Sequence, residues 1–121
     1  MLKFERAGGR CPAQDFLDRL QMPLQKKFAG QFDALTKAEN FCNQQRFWPL
    51  HKKGKPLWEF KEFDHRLYCL RRERGGAVTV VLFNGWVKDK EGKTDREDRE
   101  IEKALDLYNE FLREFPEGRG T

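Results

Sequence analysis

The sequence predicts an α+β domain, a small antiparallel sheet with helices packed on one of its faces, in the order β-α-α-β-β-β-α. Three observations carry this. Trp58 to Glu62 and Arg66 to Arg72 alternate large and polar residues, and Ala77 to Phe83 is nearly all apolar, so residues 56–90 read as three consecutive strands and a basic exit. Two helical patterns precede this meander, and one strong pattern follows it. Grouped helices flanking a meander indicate helices laid against a sheet.

Leu2 to Arg6 alternates weakly and reads as a short first strand, which Gly8-Gly9 ends. Pro12 suits the first position of a helix, where its missing N–H costs nothing, and Phe16, Leu17 and Leu20 form its stripe. Pro23 opens a second helix to about residue 40, with Leu24, Phe28, Phe32 and Leu35 recurring at three and four. A helix-turn-helix reading of residues 12–40 fails because Phe28, Phe32 and Leu35 stand where a recognition helix needs polar reach. Residues 41–56 read as irregular and end in the basic string His51, Lys52, Lys53, Gly54, Lys55.

Gly75-Gly76 supplies the positive φ of a two-residue hairpin, and Phe63-Asp64 is a weaker turn. A two-residue loop at Phe63-Asp64 sets Lys61 opposite Arg66 and Glu59 opposite Tyr68. Strand alternation then gathers Leu57, Glu59, Lys61, Arg66, Tyr68 and Leu70 on one face, and Trp58, Phe60, Leu67 and Cys69 on the other. The second set is apolar and should meet the helices; the first suits an open face. Asn84-Gly85 is a place where the third strand can break and re-aim Lys88. Thr94 and Glu97 form a capping box ahead of Ile101, Leu105, Tyr108, Leu112 and Phe115, an apolar stripe about twenty residues long. Residues 116–121 read as a frayed tail.

The whole of residues 1–121 forms a single domain, and eleven Phe, three Trp and two Tyr are enough for a core. Charge is unevenly placed within the net +4. Residues 46–74 hold nine Lys/Arg against four Asp/Glu, whereas residues 88–121 hold eight against eleven. A basic sheet region beside an acidic helix points to a polyanionic partner. Cys11, Cys42 and Cys69 are odd in number and lack CxxC spacing, which speaks against disulfides or zinc and for a reducing, cytoplasmic setting. No apolar run is long enough to span a membrane, and no cluster has metal spacing. No cofactor is indicated.

Several strings in order resemble the HigB-like branch of the RelE/ParE toxin superfamily, including its phage-derived members. They are Pro49-Leu50 before the basic loop, GKPLWEFK at 54–61, HRLYCL at 65–70, VVLFNGWVK at 80–88, Lys90, and a helix opening TDREDREIEKA. The chain departs from that pattern at Lys61, often arginine, at Asn84, often histidine, and at Asp89, which parts Lys88 from Lys90. The resemblance implies a RelE-like fold and a toxin of a type II toxin–antitoxin pair. Such a toxin is a ribosome-dependent endoribonuclease that cleaves messenger RNA in the ribosomal A site. Its partner is an antitoxin, usually a helix-turn-helix DNA-binding protein.

Metal-free RNA cleavage uses the 2′-hydroxyl as nucleophile. It needs a proton acceptor, cations at the phosphate, and a donor to the 5′-oxygen. Arg66 matches the family arginine and can bind two phosphate oxygens; its structural alternative is a pair with Glu59. Lys88 and Lys90 are candidate clamps or proton carriers, Glu59 an orienter or base, and His51 an acid or base. Lys52, Lys53, Lys55, Lys61 and Tyr68 are candidate RNA contacts. His65, in the expected turn, reads as solvated. Two other readings remain: a gyrase poison like the ParE branch, and a basic RNA-binding module that no longer cleaves.

Overall fold

A computed structural model describes residues 2–3, 9–37, 47–50, 56–74, 77–88 and 94–115. The elements are β1 (Leu2–Lys3), α1 (Pro12–Asp18), α2 (Met22–Lys37), β2 (Phe47–Pro49), β3 (Trp58–Glu62), β4 (His65–Arg74), β5 (Ala77–Val87) and α3 (Thr94–Glu114). The architecture is α+β. Pro12 takes an opening position of α1, as its fixed φ favours. No helix among the described residues is long and apolar enough to cross a membrane.

The sheet has five strands in the order β1-β5-β4-β3-β2. The expected cross-strand partners are present: Lys61 faces Arg66 and Glu59 faces Tyr68. Arg74 pairs with Ala77, which leaves two residues between β4 and β5; Gly75 and Gly76 themselves lie outside the described residues.

Four expectations change. Part of the segment read as irregular forms β2, which pairs with β3 through Phe47–Phe60, Trp48–Glu59 and Pro49–Trp58. Its three residues are too few to show a period, and Pro49 is tolerated because β2 is an edge strand. The sheet is mixed rather than antiparallel, since β1 runs parallel to β5. β5 continues through Asn84 and Gly85 to Val87. Tyr68 faces Asn84 while Cys69 faces Leu82, so Phe83 is an extra residue that bulges the strand without ending it.

The fourth change matters most, because the helices do not share one face. Ala13, Phe16 and Phe28, from α1 and α2, bury against Phe60, Leu67, Cys69, Val80 and Leu82. On the opposite face α3 buries Ile101, Ala104, Leu107 and Phe111 against Leu57, Tyr68, Leu70, Val81, Phe83 and Trp86. The face expected to be open is therefore closed. The buried row of α3 is also rotated from the expected one. Leu105 and Tyr108 are only partly buried, and Phe115 is exposed, because the small Ala104 lets the helix approach the sheet along its own row.

Gly85 sets how closely α1 sits on the sheet. A Cβ there would run into the Phe16 ring, so only glycine leaves room for it.

Candidate functional site

The polar residues that strand alternation placed together do converge, beneath α3 and beside the β3–β4 turn. Arg66 is 8 % exposed and Glu59 6 %. Arg66 Nε lies 3.3 Å from Glu59 Oε1. Its Nη1 donates to the Phe63 carbonyl at 2.7 Å and to the His65 carbonyl at 3.2 Å. The Lys88 N–H donates to the Asp64 carbonyl at 2.6 Å. One buried guanidinium thus ties β3 to the turn, and the end of β5 closes on the same turn. A buried charge needs such partners, or its desolvation would be unopposed.

That turn is strained. Phe63 has φ of 53° and is the sole non-glycine residue with positive φ among the described residues. A positive φ at the first central residue only is the pattern of a type II′ hairpin, where glycine is favoured. The Phe63 side chain is 68 % exposed.

Tyr68 is wholly buried and accepts a hydrogen bond from Trp86 Nε1 at 2.9 Å. Burial pushes its phenol far above the usual tyrosine range, and the nearby Glu59 carboxylate adds to this; the Trp86 hydrogen bond opposes it only in part. Burial, with the same carboxylate, also pushes the Cys69 thiol up. Neither group exchanges a proton near neutrality. Asn84 donates from Nδ2 to the Glu100 carbonyl at 3.2 Å and so fastens β5 to α3.

Of the expected cations, Lys61 is half-buried on the α3 side of β3. Lys88 is half-buried, with Nζ 3.6 Å from Glu97 Oε2. His51, Lys52, Lys53, Lys55 and Lys90 lie outside the described residues, as do the side chain of Thr94 in the expected capping box and residues 116–121.

His65 is not in the turn but opens β4, opposite Glu62. Its ring lies 6.2 Å from that of Phe16, and its Nδ1 is buried without a hydrogen-bond partner among the described residues. Nearby on this face Gln31 Nε2 donates to Glu62 Oε2 and to the Lys61 carbonyl. His65 also lines a cleft of about 850 Å³, together with Phe16, Arg19, Trp86, Arg96 and Lys103. Glu59, Lys61, Arg66, Tyr68 and Lys88 are not among the residues lining it.

Trp86 and Phe63 join the site without standing out in the sequence. Trp86 had one available signal, its place on the same strand face as Asn84. For Phe63 the signal was a bulky aromatic in a two-residue turn.

No protein-family model matches the chain, and no curated protein matches it either.

Proposed function

We propose that the chain is a toxin of a type II toxin–antitoxin pair with a RelE-like fold, resembling the HigB-like branch, and that it acts on messenger RNA at the ribosome. The observation that carries the reading is the meeting of Lys61, Arg66 and Lys88 around one hairpin end, on strands whose sequences carry the resemblance. In this reading Lys61 and Lys88 contact phosphate. Arg66 is a positioning residue that holds the turn through Glu59 and the Phe63 carbonyl. The 2′-hydroxyl gives up its proton and attacks the adjacent phosphorus, the bond from phosphorus to the 5′-oxygen breaks, and that oxygen leaves as a 5′-hydroxyl after taking a proton, while these cations oppose the growing charge. Glu59 and Tyr68 support the site from beneath, and the proton carriers belong to the basic segments around His51 and Lys90. The antitoxin, a helix-turn-helix protein in this reading, would neutralise the toxin by covering that end.

The burial of Arg66 and Glu59 favours a second reading, a toxin that binds its target without cutting RNA, as the gyrase poisons of the ParE branch do. Primer extension on a defined message with purified ribosomes separates the two. In-frame cuts that require ribosomes and fade at least tenfold in Lys88→Ala support the interferase. An absence of cuts from folded protein, together with inhibited gyrase supercoiling, supports the second reading.

A further inference from the structure

Phe63 is the most exposed large hydrophobic side chain among the described residues, and it occupies a backbone conformation that bulky residues avoid. Glycine would fit that position without strain, and a polar residue would suit its exposure. Neither is present, so local folding does not account for the ring. The turn is held from both sides, by Arg66 on the Phe63 carbonyl and by the Lys88 N–H on the Asp64 carbonyl. The ring is therefore presented on a fixed support. Lys27 Nζ sits over one face of the ring, 5.0 Å from its centroid.

An exposed aromatic ring with a lysine at its face suits single-stranded nucleic acid: a base stacks on the ring's free face while the lysine meets a flanking phosphate. A protein partner would more often find an apolar patch with few charges at its centre. We infer that Phe63 is a stacking platform for a nucleobase of single-stranded RNA, with Lys27 beside it as a phosphate contact. The inference rests on the proposed RNA-directed function and adds to it the place where the strand is gripped.

The test is fluorescence anisotropy of a labelled single-stranded oligoribonucleotide titrated with the full chain at several salt concentrations. The native protein binds. Phe63→Gly, which removes the ring and also relieves the turn, binds roughly tenfold more weakly, the effect of losing one stacked base. Its dependence on salt stays the same, because no phosphate contact is lost, and Phe63→Trp restores affinity. Lys27→Ala instead makes the salt dependence shallower. Undiminished binding by Phe63→Gly would overturn the stacking role and leave RNA binding intact. A native chain that binds no RNA would overturn the platform as a site for free single strands, whereas ribosome-dependent cleavage is read separately by primer extension.

Discussion

The two faces of the sheet are both covered, but by different means. Toward α1 and α2 the contact is largely aromatic and aliphatic: Phe16 meets Phe28 edge-on with centroids 6.2 Å apart, and Phe32 meets Phe60 at 5.1 Å. Toward α3 only the end near Leu57, Leu70 and Phe83 is of this kind. The other end buries Glu59, Arg66, Tyr68 and Asn84, which have hydrogen-bond or ion-pair partners in one another, in Trp86 and in backbone carbonyls. The comparison teaches that alternation assigns side chains to faces without saying which face is wet. A polar face can be covered when its groups meet partners at close range.

The difference can be broken most severely at Arg66. Replacing it with alanine leaves Glu59 buried without its cation and should lower stability by about 3–5 kcal/mol, read from urea unfolding. A much smaller loss would mean that water reaches Glu59. On the opposite face, Gly85→Ala drives a methyl into the Phe16 ring and should cost about 1–3 kcal/mol. Combining it with Phe16→Leu should cost less than the sum of the two changes, because the residues share one space.

Tyr68→Phe sharpens the contrast at lower amplitude. Loss of the acceptor for Trp86 Nε1 should cost about 1 kcal/mol at neutral pH. The pH dependence follows from the raised phenol. The unfolded chain releases the proton near the ordinary tyrosine value of about 10, whereas the folded chain retains it. Stability from this residue is complete below that pH and declines as pH rises above it. Unfolding midpoints should fall through this range in the native chain and fall less in Tyr68→Phe. The last effect, similar in size and opposite in sign, is a gain: Phe63→Gly should add about 1 kcal/mol by relieving the positive φ.

Much of this organisation was legible beforehand. The β3–β4 register followed from loop length, and the opening of α1 from Pro12. What escaped depended on contacts distant in sequence. The closure of the Glu59–Arg66 face needed the knowledge that α3 would present Ala104 rather than its larger neighbours. The continuation of β5 through Asn84 needed the bulge at Phe83, which neither residue type announces. His65 read as a turn residue although the two-residue loop at Phe63-Asp64 already sets it opposite Glu62, where it opens β4. The pairing of Glu59 with Tyr68 and of Lys61 with Arg66 was legible in strand alternation; the burial of Glu59 and Arg66 was not.

The measurement that bears most directly on the account is a double-mutant cycle between Glu59 and Arg66, using Glu59→Leu, Arg66→Met and the two together in urea unfolding. A buried pair that clamps the hairpin predicts costly single variants, a double variant close to the native stability, and a coupling of about 2 kcal/mol or more. Near-zero coupling with inexpensive single variants would contradict the clamp and return the Arg66 guanidinium to the phosphate.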